Sequence, residues 1–172
     1  TSQVKSFLIH VATLIIDNDI DIGWLTDAHS IAHSLDEYLP LLQALLPGCR
    51  IIQFPTTVVP SNSRNRSNER MGGAIAIVNY KWSGYITATS TDPMGIGIVN
   101  VIDIKRGPYD FRIINPYLPP STHGPGNGTI VSRTLKYLHT TPLPAWVRRQ
   151  APLEFLFDLM QGFITPARLR GA

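Results

Sequence analysis

Apolar residues recur at helical spacing from the start of the chain. Val4, Phe7, Leu8, Val11, Leu14 and Ile15 fall on one stripe, which predicts an amphipathic helix over residues 2 to about 16 facing a core. Asn18 and the alternating Asp19 and Asp21 end it, and Ile20 to Leu25 reads as a short buried strand closing at Thr26-Asp27-Ala28-His29. Ser34-Leu35-Asp36-Glu37 has capping-box spacing, the serine accepting from a free backbone N–H and the glutamate reaching back, so a second helix is predicted to start there. Pro40 is expected to kink or restart this helix, because proline lacks the amide that bonds back four residues, and Pro47-Gly48 stops it.

Arg50 to Phe54 is the next strand. Between Pro55 and Arg70 the chain turns polar, with no apolar residue from Ser61 to Arg70, and is expected to be a loop. A β pattern comes after it. Gly73 to Asn79, Tyr85 to Ser90, Ile96 to Ile104 and Phe111 to Tyr117 are separated by Gly, Pro and Asp turn signals, which consecutive antiparallel strands explain most simply. Beyond a Pro/Gly/Ser loop at Pro119 to Gly128, Ile130, Val131, Leu135 and Leu138 predict a short helix with Arg133 and Lys136 on its polar side. Pro142, Pro144 and Pro152 fragment the next stretch, and Leu153 to Met160 is the last predicted helix. No repeat or linker interrupts the chain. The expectation is a single α/β domain over residues 1–172, an α+β layered sandwich with helices first and then a meander of mainly antiparallel strands.

Composition agrees with a packed core: 44% of the 172 residues are hydrophobic and 16% charged, far from the disordered or fibrous classes. The longest apolar stretch, Phe7 to Ile16, is interrupted by His10 and Thr13 and falls short of the ~20 residues of a membrane-spanning helix. The lone Cys49 has no disulfide partner and no basic, cleavable leader opens the sequence, so an intracellular setting, nucleus or cytoplasm, is expected. The net charge of +3 is unevenly spread: residues 1–48 carry one lysine against six acids, a net of −5, and residues 49–172 carry fourteen Lys and Arg against six acids, a net of +8. Such an asymmetry suits a polyanionic partner beside a cation site. Solvated surface charge accounts for it equally well.

Three segments then stand out in order. Asp19-Ile20-Asp21-Ile22-Gly23-Trp24-Leu25-Thr26-Asp27-Ala28-His29 comes first, Arg70-Met71-Gly72-Gly73-Ala74-Ile75-Ala76-Ile77 second, and Phe111-Arg112-Ile113-Ile114-Asn115-Pro116-Tyr117-Leu118-Pro119-Pro120 third. Together they resemble the endonuclease/exonuclease/phosphatase superfamily, in the form carried by LINE-type (non-LTR) retrotransposons. The first is similar to that family's helix-then-strand ending in a Gln-Glu-Thr-His type sequence, the second to its Gly-Gly strand, and the third to the strand ending in a Tyr-x-Pro turn beside the scissile phosphate. The resemblance covers about residues 4–140. It also departs from the family: the opening strand with its metal-site Asn is missing, neither Gly-Asp-x-Asn nor Ser-Asp-His occurs, and Asp27 stands where a Glu is usual.

The resemblance implies a metal-dependent DNA endonuclease domain, incomplete and inactive as this chain, or a remnant that binds nucleic acid without cleaving it. Phosphodiester cleavage of this kind needs a divalent cation, a base to orient water and groups that stabilise the charged transition state. Asp27 would be the metal ligand for Mg²⁺ or Mn²⁺, which favour carboxylate oxygens; taken alone, it reads as a cap for a helix starting at Ala28 or Ser30. Tyr117 would bond a phosphate oxygen, or pack its ring under the Pro119-Pro120 loop, and Asn115 would orient Tyr117 from the same strand face or satisfy a neighbouring backbone group. Arg64, Arg66, Arg70, Arg133 and Lys136 would contact phosphates of DNA or RNA without reading sequence. His29 and His139 are given no catalytic role, because the family's base arises in an absent segment. Trp82 is expected to fold onto the sheet rather than stack on a base.

Overall fold

In the computed structural model, which describes residues 2–26, 28, 35–54, 57–59, 69–71, 73–93, 99–117, 134 and 137–169, the first apolar stripe forms helix α1 (Ser2–Asp17). Its buried residues, Leu8, Ala12 and Ile15, are spaced four and three apart on one face. The helix ends where Asn18 turns its amide back onto the Leu14 carbonyl at 2.9 Å. Asp19 then adopts a left-handed φ of 46°, a conformation that short polar side chains tolerate. Strand β1 (Ile22–Thr26) comes next. Gly23 lets helix and strand approach closely, since a Cβ there would stand 3.3 Å from Ile15 Cδ1.

Helix α2 (Leu35–Leu45) buries Leu35, Tyr38 and Leu42 and runs through Pro40, so the helix does not restart there. Pro40 is exposed, so the carbonyl it leaves without an amide partner can be met by water. Ser34, the expected cap, lies outside the described residues. Strands β2 (Arg50–Gln53) and β5 (Ala74–Val78) then build the first sheet, in the order β1-β5-β2, with β5 antiparallel to both neighbours. All five residues of β5 are buried, as a central strand covered on both faces requires. A separate two-stranded ladder joins β3 (Thr57–Val59) to β4 (Glu69–Met71). The ends of the expected polar loop are therefore strands, and Arg70 sits in β4 opposite Val58.

Asn79 ends β5 and starts the one-turn helix α3 (Tyr80–Ser83), its side-chain oxygen accepting from the Lys81 amide at 3.1 Å while its own amide donates to the Ile20 carbonyl at 3.3 Å. The remaining strands, β6 (Ile86–Thr91), β7 (Val99–Arg106) and β8 (Tyr109–Pro116), form the second three-stranded sheet as an antiparallel meander. A two-residue turn links the last two, with Gly107 at φ 59° in its first central position, where glycine meets no steric penalty. The expected meander of four strands is thus corrected. Its first strand, β5, lies between β1 and β2, because a fully apolar strand gains most where both faces are covered.

Side-chain alternation sorts the core into layers. Ile75 and Ile77 of β5 face α1 and α2 in a cluster with Leu8, Ala12, Tyr38 and Leu42. Ala74, Ala76 and Val78 face the other way, meeting Ile102 and Ile104 of β7, with Phe54 between the sheets. On the far side of the second sheet, Val99 and Val101 pack against Leu138, Val147, Phe155 and Leu156. The last three come from helices α4 (Ala145–Arg148) and α5 (Pro152–Leu169). The layers therefore run helix, sheet, sheet, helix. Pro152 does not break the last helix but opens it, a position where a missing N–H is harmless, and α5 extends well past the expected Met160. Among the described residues no helix is long and apolar enough to cross a membrane.

Candidate functional site

Trp82 joins one end of the first sheet to one end of the second. This residue lies just past the C-terminal end of β5, yet its ring meets Phe111, near the start of β8, edge-on at 6.2 Å, and carries the Arg106 guanidinium at 4.9 Å. Away from that contact, the first sheet gathers the finish of β1 and the start of β5 at its far end, and the far end of the second sheet holds the finish of β8. Thr26 closes β1 against Ala74, and the buried Ala28 donates its amide to the Gly73 carbonyl at 3.3 Å.

A polar row crosses the second sheet at that end. Thr91, Asn100 and Asn115 are directly opposite one another on β6, β7 and β8, on the inner face shared by Ile102 and Ile113. Asn100 is fully buried, and Asp92, which comes directly after Thr91, is 2% exposed. The Thr91 hydroxyl lies 3.1 Å from Asn100 Oδ1 and 3.4 Å from Asp92 Oδ2; with one proton to give, it serves the nearer oxygen better. Asn115 completes the row differently: its Nδ2 is buried with no hydrogen-bond partner among the described residues. Leaving a buried donor unmade costs about 1–3 kcal/mol, so a native protein that keeps one invites a functional account.

The sequence singled out Asn115 but not Thr91, Asp92 or Asn100. A signal was present in the run Ile96 to Ile104, where Asn100 is the first polar residue inside an otherwise apolar stretch, and a buried polar position is more informative than an exposed apolar one. Tyr117 sits half-buried one residue beyond β8, with its ring packed against the outer core of Val99, Val101 and Leu138. The expectation that it shares a face with Asn115 is corrected, because the chain leaves strand geometry after Pro116 and alternation no longer governs it. Asp27, His29, Arg64, Arg66, Arg133 and Lys136 lie outside the described residues, as does the side chain of Arg70. Trp82 packs on the inner core as expected.

Among the described residues no group of three or more His, Cys, Asp or Glu is placed to hold a metal ion. Two ion pairs stand out among the described residues. Lys81 Nζ reaches both oxygens of Asp19, at 2.7 and 2.6 Å, and this hydrogen bond raises the lysine pKa above its ordinary value. Arg112 grips Asp103 with two bonds of 2.7 and 2.8 Å on the outer face of the second sheet; the bond to Asp103 raises its pKa in turn. An open hollow of about 370 Å³, lined by Ile15, Leu45, Cys49 and Tyr80 among others, lies beside the helices of the first sheet, near the finish of β5 and away from the polar row. Compared with family models, with curated proteins and with solved structures, the chain matches none.

Proposed function

We propose that this chain carries the phosphate-binding end of a metal-dependent DNA endonuclease domain of the retroelement type, within the endonuclease/exonuclease/phosphatase superfamily it resembles, and that the isolated chain does not cleave. One observation carries the reading. The Thr91, Asn100 and Asn115 row, with an amide donor that has no acceptor among the described residues, lies at the end of the second sheet toward which β8 runs. A buried N–H without a partner is matched by an anionic oxygen, and hydrogen bonds to charged acceptors are roughly twice as strong as neutral ones. In this reading the phosphate takes the Asn115 amide, the Tyr117 phenol lies on the other face and outside that contact, and Asp27, the residue after β1, is the carboxylate that would hold Mg²⁺ or Mn²⁺. Arg64, Arg66, Arg70, Arg133 and Lys136 supply sequence-independent phosphate contacts.

One carboxylate and one phenol do not amount to a metal clamp and a base together, and neither Gly-Asp-x-Asn nor Ser-Asp-His occurs in the chain. That shortage favours a second reading, in which the protein is a non-enzymatic remnant that binds nucleic acid. Side-chain amide resonances, monitored by NMR during titration with a short DNA duplex, test both. The Asn115 Nδ2 resonances should shift, and the shift should weaken steeply as salt rises, since phosphate contacts release counterions. Adding Mn²⁺ separates the readings: broadening centred on Thr26 and Ala28 supports the metal-dependent lineage, and DNA shifts without it support the remnant. An Asn115 amide that ignores DNA at low salt overturns both.

A further inference from the structure

The opposite end of the sandwich carries a different kind of surface. Tyr109 and Phe111 protrude along the inner side of β8, 63% and 43% exposed, and their rings lie nearly parallel, with centroids 5.9 Å apart and planes 12° from each other. Arg106, directly across the hairpin from Tyr109, lays its guanidinium over both Trp82 and Tyr85, at 4.9 and 5.1 Å. Trp82 and Phe111 are accounted for, since they close the end of the inner core. Tyr109 and Tyr85 are not, for neither is needed to seal it. Several partly exposed aromatics held together on one patch mark a surface with a use.

Charge decides what that use is. Lys81 and Arg112 are engaged by Asp19 and Asp103, and Lys105 faces Asp110 on the other side of the hairpin. Arg106 therefore supplies the charge of the aromatic side, and its cation–π contacts hold it flat while its N–H edges stay able to donate. Flat rings beside a fixed guanidinium match unpaired bases on a phosphate chain: every base has a face to stack, and the backbone supplies the anion. A duplex keeps its bases stacked on one another and offers these rings nothing.

We propose that this end of the molecule binds single-stranded nucleic acid, with bases stacked on Tyr109 and Tyr85 and Arg106 on the phosphate chain. The site is distinct from the polar row and lies across the molecule from it. Fluorescence anisotropy with a labelled oligo-dT of about fifteen nucleotides, long enough to cover such a site, and with a duplex of the same length tests it at low salt. Tyr109→Ala should weaken oligo-dT binding roughly five- to 150-fold, the worth of one stacked base, with duplex binding and thermal stability unchanged because the ring is mostly exposed. Arg106→Gln should weaken it too and flatten its salt dependence. Wild-type affinity in Tyr109→Ala, no oligo-dT binding by the unaltered chain, or capture of a proline-rich peptide in its place would each overturn the proposal. Loss of duplex binding in Asn115→Val, with Tyr109→Ala unaffected, would sink this inference and leave the reading of the polar row standing.

Discussion

Two asparagines facing each other across β7 and β8 should respond in opposite ways to the same substitution. Asn100 accepts from the Thr91 hydroxyl at 3.1 Å and is fully buried. Replacing it with valine removes that acceptor, leaving the Thr91 hydroxyl only the longer contact of 3.4 Å to Asp92, and should cost about 1–3 kcal/mol, the range for a lost buried bond. Asn115 presents the reverse case, a buried Nδ2 with no partner. Asn115→Val removes the unsatisfied donor, keeps a side chain of similar size and adds a β-branched residue suited to a strand, so the protein should gain about 1–3 kcal/mol. For a domain of this size each kcal/mol moves the midpoint by about 2–4 °C, so Tm should rise by about 2–12 °C in Asn115→Val and fall by a similar amount in Asn100→Val. Thermal unfolding monitored by circular dichroism measures both, and urea titration checks that m is unchanged. Should Asn115→Val lose stability as Asn100→Val does, its amide is satisfied in the folded protein and no donor waits there for a phosphate.

The Arg112 and Asp103 pair is only 17% and 15% exposed, which ranks it between surface and buried ion pairs. Either Arg112→Met or Asp103→Asn should cost about 2 kcal/mol by leaving the other charge half-buried, and the double mutant should cost little more than one alone; purely additive losses would show that the two do not interact. Lys81 and Asp19, both exposed, should matter little. Because the folded Lys81 pKa is raised, whatever the pair contributes is fully present below the ordinary lysine pKa and is lost as pH climbs through the higher folded value. The Tm difference between wild type and Lys81→Gln should therefore be flat from neutral pH to about 10, shrink above it, and vanish in high salt; a difference that grows with pH would contradict the sign.

Local patterning carried much of this architecture. The stripe that includes Leu8 and Ile15 specified α1 and its buried face, because a helix at 3.6 residues per turn must turn such residues the same way. Gly, Pro and Asp turn signals between β runs located β6, β7 and β8 and their order, since short turns oblige neighbours in sequence to pair. Asn115 and Tyr117 were visible too, through the segment around Tyr117-Leu118-Pro119.

Other features depended on contacts between segments far apart in the chain. An apolar run such as Ala74 to Val78 cannot specify which strands flank it, so its placement between β1 and β2 rather than beside β6 was settled by where both of its faces could be covered. Pro40 was read from its missing amide, and only the solvent beside that turn of α2 made the loss tolerable. The buried row of Thr91, Asn100 and Asn115 draws on three strands at once. Each of its members is an ordinary polar residue in the sequence, and only sheet register, which no single segment contains, brings them side by side.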